Sequence, residues 1–334
     1  MDDLQFGKRN KRGDWAPNDA LTIAPFYSFP PNPVKILKWL IEYLLPWNVM
    51  FMASAYAFST WLLPDIDTMK TLQWGWILQL LAINAIAIFL FYGAFELPLY
   101  IRRAQGNHFK YNAKFPGDAK SDVFWFGSQS IDSILRCFVT GVPIWTAYQV
   151  GIFYAFANGY LPWLTFADNF WYLLALGFLV PIWHEFHFFC IHRLIHTPFL
   201  YKWVHSVHHN SVNPSPWSSL SMHPVEQLLY FSSSLLHLII PSNPVMALYQ
   251  LHFAGFGAVV GHIGFDKIEV GSEGGFDTHA YSHYLHHKYF EVNYGDGSVP
   301  LDKLFGTFHD GTAEGEAIME ARFRKLRERA NRTA

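Results

Sequence analysis

Four long apolar segments occupy the first half of the chain. Each reaches the ~20 residues that an α-helix needs to cross the hydrocarbon core of a bilayer. A helix in the core of a soluble protein is usually ~10–14 residues long and carries a polar face, which these segments lack. The pattern therefore predicts an all-α, polytopic integral membrane protein with about four transmembrane helices. The segments are Trp39–Leu63, Leu72–Ile101, Ile131–Ala157 and Trp163–Trp183.

Two further apolar segments, Pro224–Ile240 and Pro244–Gly264, flank the turn Pro241-Ser242-Asn243-Pro244. The first of them is only marginally long enough to span a bilayer. Together they predict a hairpin that either crosses the membrane fully or enters and leaves it on one side. The pattern leaves both arrangements open.

Positively charged residues alternate along the chain in a way that predicts its orientation. Lys and Arg favour the cytoplasmic side of a membrane protein. Six lie before or at the start of the first span and six in the loop 102–136, whereas Lys70 is alone between the first two spans and none lies between the third and fourth. We therefore expect the N-terminal segment 1–35, that loop, the region 192–223 and the C-terminus to face the cytoplasm.

Composition narrows the possible functions. Hydrophobic residues make up 51% of the 334 residues and charged residues only 15%, against about a quarter charged in an ordinary soluble domain. The formal net charge of −2 argues against a nucleic-acid partner, which would favour a strongly basic domain. The two cysteines, Cys137 and Cys190, lie in apolar segments, so no disulfide framework is expected.

Histidine is concentrated in the second half of the chain. Residues 1–183 contain one of the 17 histidines, His108, and residues 184–309 contain the other sixteen. We therefore interpret the segment 36–183 as a transmembrane scaffold and expect the chemistry to reside in the histidine-rich part, on the cytoplasmic side.

Three of the histidine groups have spacings suited to metal binding. His192 and His196 are four residues apart, so on a helix they lie on one face. The second and third groups, which begin at His205 and His283, share the pattern His-x-x-His-His. Neutral imidazole is a ligand for Zn, Cu, Fe and Ni, and this many ligands exceeds what one ion uses. The sequence therefore predicts two metal ions in a mostly histidine shell.

Isolated histidines lead to a different expectation. A lone buried His such as His237 or His252 is usually a hydrogen-bonded core residue, and both, like His108, are expected to be ordinary side chains.

Haem ligation is an alternative to a two-metal site for the clustered histidines. One or two axial histidines per haem would leave most of the clustered residues unexplained.

The three groups resemble the histidine boxes of the fatty acid hydroxylase/sterol desaturase superfamily. The boxes are His192-x-x-x-His196, His205-x-x-His208-His209 and His283-x-x-His286-His287. Further elements agree: His223-Pro224-Val225-Glu226, Asn293-Tyr294-Gly295, and Leu301-Asp302-Lys303-Leu304-Phe305-Gly306-Thr307, in which Leu301 replaces the family's usual Trp. The resemblance covers roughly residues 180–310 and favours the sterol desaturase branch.

The resemblance implies a membrane-bound, non-haem di-iron enzyme that uses O2 to hydroxylate or desaturate a sterol-like or fatty-acyl lipid. Its catalytic domain would span residues 184–310, and 311–334 would form a charged helical tail. No catalytic residue is expected beyond the metal centre, and zinc is expected to be able to replace iron in purified protein. The implied ligands are His192, His196, His205, His208, His209, His262, His283, His286 and His287. Further ligands, or partners that orient the ligands, would be His184, His187, His223 and His279.

The implied partners are a lipid within the bilayer, O2 and a separate electron donor. The sequence has no Gly-x-Gly-x-x-Gly motif for a flavin or nicotinamide, so a ferredoxin or a cytochrome b5-like protein with its reductase is expected as the electron donor.

A membrane metal-binding or transport protein without redox chemistry is the alternative function. Transporters hold polar ligands near the bilayer midplane, whereas these histidines fall in segments predicted to be cytoplasmic, which favours the enzyme.

Overall fold

The computed structural model describes residues 1–271 and 274–333, and most of these residues are helical. The helices are α1 (Pro33–Tyr43), α2 (Val49–Trp61), α3 (Trp74–Glu96), α4 (Gln129–Arg136), α5 (Val142–Ala157), α6 (Phe166–Ile195), α7 (Pro198–Leu200), α8 (Ser206–His209), α9 (Pro224–Phe231), α10 (Pro244–His262), α11 (Tyr281–Tyr289), α12 (Leu301–Leu304) and α13 (Ala313–Thr333). The strands are β1 (Gly7–Arg9), β2 (Trp15–Pro17), β3 (Lys267–Val270) and β4 (Gly274–Asp277).

Three helices in the described part of the chain are long and apolar enough to cross a membrane. They are Trp74–Ile101, Phe166–Ile195 and Pro244–His262. Only 22% and 33% of the most apolar windows of the first two are buried, as expected for surfaces that face lipid. The third is 78% buried, because α10 packs against α2, α3, α5 and α6 at the centre of the molecule.

The first predicted span, Trp39–Leu63, is not one continuous helix. Helix α1 ends at Tyr43, and Leu45 is extended (φ −113°, ψ 140°) before a second helix, α2, begins at Val49. The physical reason is Pro46, which disfavours helical dihedrals at the residue before it. The third predicted span, Ile131–Ala157, is built from α4 and α5 with the π-helical segment Cys137–Gly141 between them.

The predicted hairpin has arms of unequal length. Its first arm contains only the eight-residue α9, followed by the 3-10 segment Ser232–Leu238. The hydroxyls of Ser232 and Ser234 donate to the carbonyl oxygens of Leu229 (2.6 Å) and Phe231 (2.7 Å), a local bonding pattern that competes with regular helix. The second arm is the continuous α10, so only this arm has the length of a span.

Loops that the charge pattern assigns to opposite sides lie at different ends of the structure. At one end the Asn158 side chain donates to the Lys70 carbonyl (3.1 Å), and the Leu164 N–H donates to the Ser242 carbonyl (2.8 Å). At the other end the Leu21 N–H donates to the Asp310 carbonyl at 2.8 Å, which joins the N-terminal segment to the C-terminal part of the chain.

Two small antiparallel sheets depart from the purely helical expectation. Strand β1 pairs with β2, and β3 pairs with β4. Trp15 on β2 is 1% exposed and its ring lies 5.5 Å from that of Phe109, so the N-terminal segment is docked on the loop that follows α3. The expected C-terminal tail forms α13, whose Glu316 pairs with Lys288 of α11 at 2.7 Å; Ala334 lies outside the described residues.

Helix α6 carries the chain from the apolar region to the first histidine box. Its 30 residues extend about 45 Å, which is longer than the ~30 Å hydrocarbon core. Thr165 caps its start by accepting a hydrogen bond from the Asp168 N–H. His192 lies in its last turn and His196 directly follows it, so one helix is long enough to cross the apolar layer and also positions two of the predicted ligands.

Candidate metal centre

Four structural elements bring the predicted ligands together. His192 and His196 come from the end of α6, and His262 comes from the end of α10. The second box lies on a π-helical segment, Tyr201–His205, that continues into α8, and all of the third box lies on α11. The ends of two long helices therefore meet two short histidine-bearing helices in one place.

The nine predicted ligands separate into two clusters. Within each cluster, one ligand atom from every residue lies within 4.8 Å of the others. The five-histidine cluster contains His192, His196, His205, His209 and His286. The four-histidine cluster contains His208, His262, His283 and His287. The two clusters are neighbours, because the rings of His209 and His287 have centroids 4.9 Å apart.

The spacing of the ring nitrogens fits coordination of a metal ion. The Nε2 atom of His262 lies 3.1 Å from that of His283 and 3.2 Å from that of His287, and the Nε2 atoms of His209 and His286 are 3.1 Å apart. Metal–nitrogen bonds of about 2.0–2.1 Å at angles between octahedral and tetrahedral place neighbouring ligand atoms roughly 2.8–3.4 Å apart. The donor set in both clusters therefore fits a first-row transition metal.

Hydrogen bonds on the opposite ring nitrogen orient several of the imidazoles. Nδ1 of His192 donates to the Tyr294 carbonyl (2.7 Å), and Nδ1 of His286 donates to the Val292 carbonyl (2.6 Å). Nδ1 of His262 donates to the carbonyl of Ala258 at 2.8 Å, four residues earlier on α10. A proton held on Nδ1 leaves the Nε2 lone pair free, and this is the arrangement that metal-bound histidines adopt.

The electrostatic environment keeps the imidazoles uncharged. Burial, and then the neighbouring imidazoles, hold the pKa values of His209, His286 and His287 well below the usual range. Burial lowers the pKa of His196 to about 2, with further contributions from His192 and His208. Since only neutral imidazole binds a metal, the cluster is poised for coordination at neutral pH.

Comparison with known proteins agrees with this arrangement. Residues 177–307, which contain all nine clustered histidines, match the Fatty acid hydroxylase family. This match supports the resemblance of the chain to the fatty acid hydroxylase/sterol desaturase superfamily. The resemblance in the histidine boxes is thereby confirmed.

The chain is also similar to several fungal proteins named Delta(7)-sterol 5(6)-desaturase. The chain is 30% identical to one from Gibberella zeae over 185 residues, covering 54% of this chain and 56% of that protein. It is 27% identical to one from Aspergillus fumigatus over 303 residues, covering 80% and 87%. It is 32% identical to the Saccharomyces cerevisiae protein over 118 residues, covering 35% and 31%. No solved structure matches the chain.

Glu226 has a position at the centre that the sequence did not reveal. In the sequence it is only the last residue of the His-Pro-x-Glu element. In the structure its Oε1 accepts a hydrogen bond from Nδ1 of His205 at 2.8 Å, and both side chains are buried. The carboxylate thus orients a predicted ligand from the side opposite the cluster.

Two other carboxylates shape the loop that supplies the Tyr294 carbonyl. The Asp302 carboxylate accepts from the N–H groups of Tyr294 (2.9 Å) and Gly295 (2.8 Å). Glu185, on α6, accepts from the N–H groups of Gly297 (2.7 Å) and Val299 (3.0 Å). These contacts hold the loop against α6, and with it the carbonyl that orients His192. Sequence reasoning missed the roles of Glu185 and Asp302, because backbone acceptors leave no spacing pattern.

The four histidines named as further ligands or orienting partners lie outside both clusters. His184 contacts Gln250 Nε2 through its Nδ1 (3.2 Å), and His187 lies 2.9 Å from the Ser232 hydroxyl. His223 caps α9 by accepting from the Val225 N–H (3.2 Å). His279 is exposed, has a positive φ of 56°, and precedes the start of α11, so it does not continue the helix that carries the third box.

The remaining histidines also lie away from the two clusters. His252 shares a hydrogen bond with the Ser54 hydroxyl (2.7 Å), and His237 shares one with the Ser242 hydroxyl (2.7 Å). His108 is about half exposed beside Glu269. His309, which sequence reasoning did not single out, stacks on Tyr289 with a centroid distance of 5.0 Å.

A cavity of about 550 Å³ adjoins both clusters. Histidines from each cluster line it, among them His192, His205, His262 and His283. Its apolar lining includes Trp47, Phe51, Phe188, Tyr230 and Phe253. The ring of Phe188 stacks on His192 with a centroid distance of 4.6 Å, so the apolar wall reaches the metal-binding side chains directly.

Proposed function

We propose that this chain is a membrane-bound non-haem di-iron oxidoreductase that uses O2 and external electrons to hydroxylate or desaturate a lipid. The observation that carries the proposal is the convergence of nine imidazoles into adjacent clusters of five and four. The names of the relatives, which are sterol desaturases, support lipid oxidation over metal storage or transport. The implied lipid is sterol-like or fatty-acyl.

The residues of each cluster would hold one iron ion. When bound, iron and O2 would supply the oxidising power needed at an unactivated C–H bond, which no amino-acid side chain has. The chain's own part is to position the ligands: Glu226 fixes the ring of His205, and the Tyr294 carbonyl fixes that of His192. Zinc binds imidazole sites more tightly than Fe²⁺ and is expected to occupy the clusters in overexpressed protein.

The cavity beside the clusters would receive the lipid. Its aromatic lining offers an apolar surface to a hydrocarbon beside the side chains that would hold the metal. Phe188 and Tyr230 pack against each other with centroids 5.8 Å apart, and Phe188 stacks on His192. These rings would hold the reacting carbon against the metal centre.

We infer a multi-pass topology with the N-terminus, the C-terminus and the metal centre in the cytoplasm. The grouping of the loops supports it: the contacts of Asn158 with Lys70 and of Leu164 with Ser242 put three loops at one end. Those loops contain a single Lys, whereas the N-terminal segment and the loop after α3 are rich in Lys and Arg. Residues 184–310 would form the catalytic domain. A separate ferredoxin or cytochrome b5-like protein with its reductase would supply the electrons for the reaction.

Comparative lipidomics tests the proposed reaction. Cells that express the chain should contain a lipid that has gained one oxygen or lost two hydrogens, and cells that express His196→Ala should lack it. His108→Ala is the matched control, because His108 is partly exposed and outside the clusters. An unchanged lipid profile in cells that contain the metal-loaded protein would contradict oxidation of a lipid.

A further inference from the structure

His184 is a buried histidine that belongs to neither metal-binding cluster. It is 3% exposed and lines the cavity beside the clusters. Aromatic rings surround its imidazole, whose centroid lies 5.0 Å from that of Phe253, 5.4 Å from that of Tyr230 and 6.3 Å from that of Phe188. Because aromatic surroundings solvate a polar ring poorly, each nitrogen of this imidazole needs a hydrogen-bond partner.

One ring nitrogen of His184 has its partners within the protein. The Gln250 amide donates to Nδ1 at 3.2 Å, and the Ser233 hydroxyl lies 3.4 Å from the same atom. Because Nδ1 accepts a hydrogen bond, the proton of the neutral ring resides on Nε2. Within residues 1–271 and 274–333 this Nε2 has no hydrogen-bond partner, and it is not sealed by protein atoms. Its N–H therefore faces the cavity that His184 lines.

Two other hydrogen-bond donors in the cavity lining are already used within the protein. The Tyr230 hydroxyl donates to the Ala254 carbonyl at 2.8 Å. The indole N–H of Trp47 donates to the Asp277 carbonyl at 3.1 Å. The N–H of His184 differs from these two donors, because it is directed into the cavity and is free to bind an acceptor that enters it.

The position of His184 relates this donor to the metal centre. His184 precedes His192 by eight residues on α6, which is roughly 12 Å along the helix axis. Phe188 lies between them and stacks on both, with centroids 6.3 Å from His184 and 4.6 Å from His192. A lipid whose polar atom is held at His184 would therefore lie along Phe188, with its hydrocarbon directed toward the five-histidine cluster.

We propose that His184 binds an uncharged oxygen atom of the lipid through its Nε2–H group. The inference rests on the proposed function only in taking the cavity as the lipid site. A hydroxyl oxygen and an ether oxygen both accept a hydrogen bond, so the interaction requires an acceptor on the lipid but no donor. The bound oxygen would satisfy an N–H that the protein leaves without a partner among aromatic rings.

Binding of lipids that differ only at one oxygen tests the proposal without turnover. The full-length, metal-loaded protein is placed in phosphatidylcholine nanodiscs without O2 or reductant. Affinities are measured for two sets, each made of an alcohol, its methyl ether and its hydrocarbon: cholesterol, cholesterol methyl ether and 5-cholestene, and oleyl alcohol, oleyl methyl ether and cis-9-octadecene. Both sets are used because the proposed lipid is sterol-like or fatty-acyl.

Three variants separate loss of the N–H from loss of the ring. His184→Phe keeps an aromatic ring without the N–H, and His184→Gln keeps an N–H donor without the ring. His187→Phe is the matched control, because His187 lies on the same helix and contacts the Ser232 hydroxyl but does not line the cavity. Comparing each lipid between variants cancels its partition into the bilayer.

In the set that binds, His184→Phe should weaken the alcohol and the methyl ether by about fivefold, which is about 1 kcal/mol, and should leave the hydrocarbon unchanged. His184→Gln should retain most of the affinity for both oxygen-bearing lipids, and His187→Phe all of it. The native protein should bind the methyl ether more tightly than the hydrocarbon, a comparison that needs no variant.

Several results would overturn the proposal. They are equal losses for all three lipids in His184→Phe, no loss in that variant, the same loss in His187→Phe, a methyl ether that binds the native protein no better than the hydrocarbon, and failure of both sets to bind. The expected dependence on oxygen in a protein that yields no oxidised lipid would instead refute only the proposed reaction.

Discussion

Glu226 accepts a hydrogen bond from His205 Nδ1 at 2.8 Å, and both side chains are buried. Glu226→Gln should leave His205 in place but remove the charge that holds its ring and raises its basicity. We expect metal affinity to fall about 10–100-fold, as for other partners of metal-bound histidines. Competition with a chelator measures this affinity. Glu320→Gln, an exposed site on α13, should retain native affinity.

The division of the histidines into two clusters predicts which metal ion each variant loses. His286 belongs to the five-histidine cluster and the adjacent His287 to the four-histidine cluster. Single substitutions to Ala should each lower the metal content from about two ions to about one per chain. The two variants should give different metal spectra, because each keeps the other site. Loss of both ions from both variants, with the fold intact, would show that the sites are not separable.

Close packing of α10 against α5 depends on Gly255. A Cβ at this position would lie 2.5 Å from Cζ3 of Trp145, a ring that is fully buried. Gly255→Ala should therefore destabilise the protein by ~1–3 kcal/mol, despite the better helix propensity of Ala. Gly151→Ala on α5 is the control, since a Cβ there meets nothing within 4 Å. Unfolding in detergent should show a loss for the first variant and no loss for the second.

Cysteine labelling measures the topology. In a Cys190→Ser background, Tyr160→Cys should react with a membrane-impermeant maleimide from outside the cell, because Tyr160 is 68% exposed in a loop without Lys or Arg. Asp19→Cys, in the N-terminal segment, should react only in inverted vesicles. Labelling of both positions from the same side would refute the proposed orientation and, with it, the cytoplasmic metal centre.

Local spacing predicted eight of the clustered histidines and the family resemblance added His262, but neither could predict how they are shared between the clusters. His208 and His209 are adjacent in the sequence and enter different clusters, as do His286 and His287. Successive residues on a helix point about 100° apart, so the partner of each ring is decided by how α6, α8, α10 and α11 pack. That packing depends on long-range contacts, which have no local pattern.

Other features required contacts that the sequence does not display. His279 lies four residues before His283, a helical spacing, but the chain has a positive φ at His279 and α11 begins only at Tyr281. Glu185 and Asp302 accept backbone N–H groups, which every residue except Pro offers. The break at Leu45, by contrast, has a local cause in Pro46 and was open to prediction.

The metal content and activity of the purified protein test the central claim most directly. The iron-loaded protein should contain about two iron ions per chain and, with O2 and an electron donor, should convert a membrane lipid to a product with one more oxygen or two fewer hydrogens. The zinc-loaded protein should bind a similar number of ions and be inactive, because zinc has no redox chemistry. Equal activity of the two forms would contradict the oxidative di-iron function.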